Sequence, residues 1–293
     1  MTDLTLLYGI GATKAGTSWL HAWLSEHPEV HLWPHKELHY FNAIDDGRVM
    51  QQIDQICERR ATLRARMKTT SDAARLERLA HRVAEIDRYL GLIGPGRIDP
   101  AAYLRFLSEG RGAAHVVGDV TPAYALLSEE RLRYMARLGP RTRFVYLLRD
   151  PVDRLWSNAR AMAAMRGGDA DRVRRAALQI FDRWVDGRER ALAARCDYGG
   201  ALRRLFAAVP EADRFVGFYE EMFAPEATAA ICAFLGIAPV AAPVSQPVNT
   251  GPDIALDRAR RGIAAELLAP QYEEVKSLLG RVPGQWQPMG VKV

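Results

Sequence analysis

Residues 11–16 (Gly-Ala-Thr-Lys-Ala-Gly) form a glycine-bracketed segment with a single lysine, Lys14, near the start of the chain. An apolar run with β propensity, residues 4–10, precedes it, and residues 17–26 have a pattern compatible with a helix. A strand, a loop with free backbone amides and a helix N-terminus together bind anions, because the N–H groups and the helix dipole point at the bound group. The spacing predicts an anion-binding loop, with a strand-to-helix turn that holds no ligand as the alternative.

The position of the lysine distinguishes this loop from the P-loop of nucleoside triphosphatases. The P-loop motif has its lysine immediately after the second glycine, where this chain has Thr17. A lysine on the helix reaches terminal phosphates beside a magnesium ion. Lys14, inside the loop, is placed instead to neutralise a leaving oxygen at a phosphate bridge without a metal.

A second candidate anion site follows the apolar run at 142–148. Arg149 stands at the carboxyl end of this predicted strand, Asp150 can cap the next helix, and Ser157 lies two turns into that helix. A guanidinium fork and a hydroxyl that converge on one spot suit a phosphate dianion. The alternative is that Arg149 pairs with Asp150 or Asp153.

Both stretches resemble the signatures of sulfotransferases that use 3′-phosphoadenosine 5′-phosphosulfate (PAPS). Residues 14–19 (Lys-Ala-Gly-Thr-Ser-Trp) are similar to the 5′-phosphosulfate loop, and Arg149 with Ser157 matches the Arg and the Ser, eight positions later, that bind the 3′-phosphate. Tyr219, in Phe-Tyr-Glu-Glu-Met, is similar to a tyrosine near the adenine in cytosolic members, and Trp19 matches a tryptophan that packs on that base. The resemblance implies donor contacts from Lys14, Ala15, Gly16, Thr17, Ser18, Trp19, Arg149, Ser157 and Tyr219.

Residues 36–41 (Lys-Glu-Leu-His-Tyr-Phe) are similar to a segment of the Golgi heparan sulfate sulfotransferases and their bacterial relatives, whose Glu is the proposed catalytic base. Attack by a hydroxyl or amine needs a group that removes a proton, and a carboxylate in a partly dry basic pocket can do so. Glu37 is therefore the first candidate for the base and His39 the second. Lys36 is placed to bind sulfonate oxygens, so Lys36, Glu37 and His39 form the expected acceptor side. The alternative for Glu37 is a salt bridge to Lys36 or Lys14.

The chain departs from the heparan-type pattern after the third apolar run. Residues 118–124 (Gly-Asp-Val-Thr-Pro-Ala-Tyr) resemble the Glu-Lys-Ser/Thr-Pro-x-Tyr segment of that group, but Val120 stands where the group often has a lysine implicated in catalysis. Without that lysine, the negative charge on the sulfonate during transfer must be neutralised by Lys14 and Lys36.

Composition excludes several classes of protein. The 293 residues, 48% of them hydrophobic, suffice for one large α/β domain, which we take as residues 1–293. The net charge of +5 comes from 40 basic and 35 acidic residues spread along the chain, which argues against a nucleic-acid partner. Three widely separated cysteines argue against a disulfide framework or a zinc site. The apolar runs are too short for a secretory signal or a membrane span, so a cytoplasmic protein is expected.

Short apolar runs alternate with longer helical patterns, which is typical of βαβ units around a parallel sheet. We predict a three-layer α/β, P-loop-like fold with about five central strands flanked by helices. Predicted strands cover 4–10, 29–33, 114–119, 142–148 and 213–218. Predicted helices cover 17–26, 99–109, 128–137, 151–164, 170–194, 198–208, 225–235 and 253–279, and residues 238–252 are predicted to form a loop.

Residues 48–93 are predicted to form a helical hairpin inserted into this fold. Apolar residues recur in steps of three and four, and a break at 69–72 offers Ser71 or Asp72 as a cap for the second helix. The apolar stripe is expected to pack on its own subunit, with a homodimer contact or a lid over the acceptor as alternatives. The hairpin and the helical segment at 170–194 are the expected acceptor-facing elements. The arginines of that region either favour an acidic acceptor or form a solvated face: Arg166, Arg172, Arg174 and Arg175.

These observations predict an enzyme that moves the sulfuryl group of PAPS to a hydroxyl or amine of a carbohydrate, lipid or small-metabolite acceptor and releases PAP, without a metal. Two rival interpretations are a P-loop nucleoside or sugar kinase and a nucleotide-binding scaffold without catalysis.

Overall fold

Parallel strands form the central layer of the protein. The computed structural model describes residues 4–241 and 253–286, and its strands are β1 (Thr5–Gly11), β2 (Val30–Leu32), β3 (Val116–Val120), β4 (Arg141–Leu148) and β5 (Arg214–Phe218). They form one sheet in the order β2-β3-β1-β4-β5, with parallel pairing throughout. β1 and β3 are buried along their whole length. Helices cover both faces of a parallel sheet, which is why its inner strands appear in the sequence as nearly continuous apolar runs. The predicted α/β fold is confirmed.

Helices cover both faces of the sheet. They are α1 (Thr17–Ser25), α2 (Tyr40–Asp45), α3 (Val49–Lys68), α4 (Ala73–Ile93), α5 (Pro100–Ser108), α6 (Glu129–Met135), α7 (Pro151–Met165), α8 (Ala170–Val185), α9 (Arg190–Ala194), α10 (Tyr198–Ala208), α11 (Pro225–Leu235) and α12 (Arg258–Leu279). Most of the predicted helices agree with these bounds to within two residues. None of the helices in the described parts of the chain combines the length and the apolarity needed to cross a bilayer.

Two predicted helices have the wrong bounds. The single helix predicted at 170–194 is two helices, because α8 ends at Val185 and Gly187 takes a left-handed conformation (φ 73°) before α9 begins. The helix predicted from residue 253 begins at Arg258, where the Asp257 side chain accepts a hydrogen bond from the Arg260 N–H (2.9 Å). Most of the predicted loop at 238–252 lies outside the described residues.

The predicted hairpin is present as α3 and α4. Asp72, one of the two predicted caps, accepts a hydrogen bond from the Arg75 N–H (3.1 Å). Most of the stripe on α4 is buried within the chain, as expected, while its first member Leu76 is 39% exposed. The base of the hairpin contacts the segment that follows β2, because Tyr89 donates its hydroxyl hydrogen to the Leu38 carbonyl oxygen. The hairpin is therefore attached directly to the residues predicted for the acceptor side.

The carboxyl ends of β1 and β4 lie side by side, with Gly11 paired to Tyr146. After β1 the chain continues to β2 and β3, which lie on one side of this pair. After β4 it continues to β5, which lies on the other side. Ligands of open α/β sheets bind in the crevice at such a point. The fold thus places the Lys14 loop and Arg149 at the same crevice.

Candidate functional site

The loop between β1 and α1 makes a tight turn at the edge of the sheet. The Ala15 N–H donates to the Ala12 carbonyl oxygen (3.1 Å), and Lys14 and Gly16 both have left-handed backbone conformations (φ 70° and 88°). A Cβ on Gly16 would lie 2.9 Å from a ring carbon of Tyr219, so the position requires glycine for space as well as for conformation. The first N–H groups of α1 have no acceptor within the helix, and such a helix N-terminus suits an anionic ligand.

Positive charge is concentrated around Lys14. Burial lowers the pKa of Lys14 below its ordinary value, and the positive charges of Lys36, Arg149 and Arg160 lower it further, opposed by the carboxylate of Glu37. Three cations and one carboxylate therefore surround a half-buried ammonium. Such a cluster is stable when an anion neutralises it.

Arg149, which belongs to the second predicted anion site, contacts the β1 loop directly. Its guanidinium Nη1 donates to the Lys14 carbonyl oxygen (3.3 Å), and its central carbon lies 4.6 Å from the centre of the Tyr219 ring. Its backbone is held by Tyr198, whose hydroxyl donates to the Arg149 carbonyl oxygen (2.9 Å). The arginine at the end of β4 therefore joins the β1 loop to the residue predicted near the adenine.

The aspartates considered as alternative partners of Arg149 are occupied elsewhere. Asp150 caps α7 by accepting from the Asp153 N–H (2.9 Å) and also accepts from the Tyr272 hydroxyl (2.9 Å). Asp153 pairs with Arg261 (2.7 Å). Within residues 4–241 and 253–286, Arg149 forms no ion pair with a carboxylate, which leaves its charge available to a ligand.

Ser157 lies on the buried side of α7, 9% exposed. Arg160 follows one turn later, and burial, together with the charge of Arg149, lowers its pKa. Arg160 was not among the predicted site residues, although its i+3 spacing from Ser157 is a signal that could have identified it. The second candidate anion site thus brings two arginines and a hydroxyl to α7 and the residues just before it.

Lys36, Glu37 and His39 lie together on the other side of Lys14. Lys36 Nζ is 2.6 Å from Glu37 Oε1 and donates to Thr17 Oγ1 (3.2 Å), while Glu37 Oε2 is 3.4 Å from His39 Nε2. Burial raises the pKa of Glu37, but the hydrogen bond from His39 and the charge of Lys36 outweigh it and lower the pKa to about 2. The salt bridge between Glu37 and Lys36, which the sequence left open, is therefore formed.

A buried carboxylate that the sequence did not single out supports this segment. Asp119, 3% exposed, accepts hydrogen bonds from the hydroxyls of Thr121 (2.7 Å), Tyr124 (2.6 Å) and Tyr103 (3.3 Å). Thr121 Oγ1 in turn accepts from the His39 N–H (3.4 Å). The network ties the end of β3 to the backbone of His39, the second candidate for the base, so Asp119 is a candidate positioning residue.

Val120 confirms the departure noted in the sequence. Its side chain is 2% exposed and packs over Gly9, where an added Cβ would lie 2.9 Å from a valine methyl. The position therefore presents no charge to the crevice, and the cations of the site come from other elements.

The aromatic residues predicted near adenine differ in exposure. Tyr219 is partly exposed, and its N–H donates to the Leu148 carbonyl oxygen (2.6 Å). Trp19 is 3% exposed, stacked on Trp23 (5.3 Å between ring centres) and in edge contact with Phe223 (5.2 Å). Tyr219 therefore has free surface for a base, and the role of Trp19 stays a prediction.

A cavity of about 480 Å³ opens beside His39. It is lined by the start of the hairpin and by α9, so both predicted acceptor-facing regions contribute. The four arginines suggested for an acidic acceptor, Arg166, Arg172, Arg174 and Arg175, are exposed and do not line it.

Comparison with known proteins identifies the family. The family model described as "Sulfotransferase family" matches residues 7–240, which include every residue of the site. A sulfotransferase from Alicyclobacillus acidocaldarius is similar in fold, with a TM-score of 0.61 and 20% identity over 96% of this chain and 97% of that chain. A weaker likeness is to the sulfotransferase domain of the Synechococcus PCC 7002 olefin synthase, with a TM-score of 0.48 and 13% identity over 92% and 94% of the two chains. No curated protein matches the chain.

The match extends over most of the chain and agrees with both signatures that the sequence presented. It favours sulfuryl transfer over the kinase and scaffold interpretations. The parallel sheet with its β1 loop is the P-loop-like fold expected for such an enzyme. The chain belongs to the sulfotransferase family and is a transferase of sulfuryl groups.

Proposed function

We propose that the protein transfers the sulfuryl group of PAPS to a hydroxyl or amine of a small-molecule, carbohydrate or lipid acceptor and releases PAP. The observation that carries the proposal is the cluster of Lys14, Lys36, Arg149 and Arg160 around one crevice, with Glu37 as the carboxylate that acts on it. PAPS carries anionic groups at both ends of one adenosine. The β1 loop with Lys14 suits its 5′ end, and Arg149 with Ser157 and Arg160 suits its 3′-phosphate.

In the proposed reaction Glu37 removes the proton of the acceptor as its oxygen or nitrogen attacks the sulfur in line. The new bond joins the acceptor to sulfur, and the bond between sulfur and the 5′-phosphate oxygen breaks. Lys14 and the loop amides stabilise the negative charge that develops on this leaving oxygen. The atoms balance, because the acceptor proton goes to Glu37 and the bonding electrons leave with PAP.

Lys36 links donor binding to the basicity of Glu37. In the free protein it lies within hydrogen-bond distance of both Glu37 and Thr17, and its charge helps to hold the pKa of Glu37 near 2. A sulfonate beside Thr17 competes with Glu37 for this ammonium. Weaker pairing with Lys36 raises the pKa of Glu37, although the hydrogen bond from His39 still lowers it, and a higher pKa makes the carboxylate a better base.

The test is PAPS-dependent transfer of labelled sulfate to a pool of metabolites and glycans, with chelator present. Wild-type protein should label at least one acceptor, and Lys14→Ala should lose most of that activity. Lys276→Met, which changes an exposed lysine of α12, is the control. A thermal shift produced by ATP with magnesium but not by PAP would contradict the proposal and favour a kinase.

A further inference from the structure

The cavity beside His39 is lined by two helix faces that are far apart in sequence. Arg48, Gln51, Gln52 and Gln55 recur at i, i+3, i+4 and i+7, so they lie on one side of the first turns of α3. Arg195, the residue after α9, also lines the cavity. The cavity is therefore a built polar space, and its volume of about 480 Å³ is within the range of small-molecule sites.

The two arginines of this cavity carry charge that no carboxylate in the described parts of the chain pairs with. Among the described residues neither Arg48 nor Arg195 forms an ion pair with a carboxylate. One N–H group of Arg195 donates to the Ala191 carbonyl oxygen (2.8 Å). Burial lowers the pKa of Arg195, and the charges of Arg154 and Arg48 add to this effect, with Glu37 opposing it. A partly buried guanidinium that faces other cations is stabilised by a bound anion.

The acidic residues nearby do not cancel this charge. Asp45 is held by Arg131 through two hydrogen bonds (2.8 and 2.6 Å) and does not line the cavity. Asp46 does line it and is exposed, which leaves two arginines against one aspartate. The fixed charge of the lining is net positive.

The remaining lining indicates the shape and polarity of the occupant. Gln51 and Gln55 are exposed carboxamides, which can donate to and accept from hydroxyl groups, while buried Gln52 donates to the Leu38 carbonyl oxygen (3.1 Å). The other walls are Asn42 and alanine and leucine side chains, and His39 contributes the one aromatic ring of the described lining. Such walls suit an aliphatic hydroxylated molecule better than a flat aromatic one.

We infer that this cavity is the acceptor site and that it selects an aliphatic, hydroxyl-bearing acceptor with a carboxylate or phosphate, which Arg48 and Arg195 bind. The inference rests on the proposed function and deepens it. His39 lines the cavity and contacts Glu37, so an acceptor held by the arginines presents a hydroxyl beside the base. The glutamines of α3 contact its other hydroxyls.

The experiment measures binding of matched probes to the protein with and without PAP, by ligand-observed NMR. The probes are glucuronate, glucose 6-phosphate, glucose and 4-methylphenol, an aromatic hydroxyl compound that is uncharged at neutral pH. We expect each anionic sugar to bind at least about tenfold more tightly than glucose or the phenol, and the preference to fall to less than about threefold in Arg195→Gln and Arg48→Gln. Arg190→Gln, which changes an exposed arginine of α9, should keep the preference.

Equal binding of anionic and neutral sugars, tighter binding of the phenol, absence of binding by any probe, or a preference unchanged in both variants would overturn the inference. Comparison of glucuronate with glucose 6-phosphate shows whether the cavity prefers a carboxylate or a phosphate. Because PAP affinity is measured separately, loss of PAP binding contradicts the donor assignment, while the comparison of probes without PAP still tests the cavity.

Discussion

The guanidinium of Arg149 donates a hydrogen bond to the carbonyl oxygen of Lys14 across 3.3 Å, although the two residues are 135 positions apart. The contact joins the loop after β1 to the end of β4, the neighbouring strand. One residue belongs to the proposed 5′ site and the other to the proposed 3′ site. A single nucleotide with an anionic group at each end can therefore contact both.

Arg149→Met should remove selectivity for the 3′-phosphate. A hydrogen bond to a charged group contributes about 1.5–3 kcal/mol, so PAP affinity should fall by about tenfold to about a hundredfold while the affinity for adenosine 5′-monophosphate changes little. Ser157→Ala should have a smaller effect in the same direction. Calorimetric titration with both nucleotides measures the difference.

Arg166→Met, which changes an exposed arginine after α7, is the control for this experiment. An equal loss for PAP and adenosine 5′-monophosphate in Arg149→Met would place the arginine at the other end of the nucleotide.

Binding of PAP should be accompanied by proton uptake at alkaline pH. Burial and the neighbouring cations lower the pKa of Lys14 in the free protein, and bound phosphate raises it again. Between these two pKa values, binding adds a proton to Lys14, so affinity falls as the pH rises through the lower value. Above about pH 8 the phosphates are already fully ionised and contribute no protons.

Calorimetry in buffers of different ionisation enthalpy measures this uptake. Lys14→Met should abolish it, whereas Lys276→Met should not. Equal proton uptake in wild type and Lys14→Met would show that another group titrates.

Glu37→Gln should separate catalysis from donor binding. General base catalysis contributes about a hundredfold to about ten-thousandfold, so kcat should fall by at least about a hundredfold. PAP affinity should stay within about threefold of the wild type, because the amide preserves the size of the side chain and can still accept hydrogen bonds. Retained activity would assign the base to His39 instead.

Asp119→Asn should destabilise the protein and slow it. The buried carboxylate accepts hydrogen bonds from Thr121, Tyr124 and Tyr103, and loss of these bonds to charge costs about 1–3 kcal/mol. The free energy of unfolding in urea measures this cost, and kcat should fall at unchanged PAP affinity because the His39 backbone loses its support.

Asp87→Asn is the matched control, because this exposed aspartate of α4 pairs with Arg60 at the surface, where ion pairs contribute less than about 1 kcal/mol. If Asp119→Asn behaves like Asp87→Asn in both measurements, Asp119 has no positioning role.

The sequence predicted those parts of the site that follow from local spacing. The glycines around Lys14 indicated the β1 loop, and the distance from Arg149 to Ser157 indicated the second anion site, because strand ends and helix starts leave strong local signals. The fold then brought both to one crevice, as the parallel sheet requires.

The parts that the sequence did not predict depend on contacts between distant segments. The hydrogen bond from the His39 N–H to Thr121 joins residues 82 positions apart, and Arg195 lines the same cavity as the start of α3 only through the fold. The break between α8 and α9 follows from the left-handed conformation of Gly187, which helical periodicity alone did not reveal.

Calorimetric titration of the metal-free protein with PAP shows whether one nucleotide contacts both Lys14 and Arg149. We expect uptake of one PAP per chain, weakened by Lys14→Met and by Arg149→Met alike, with losses that do not add in the double variant because the charge of Arg149 acts directly on the Lys14 ammonium. Absence of PAP binding, or binding that neither substitution affects, would contradict it.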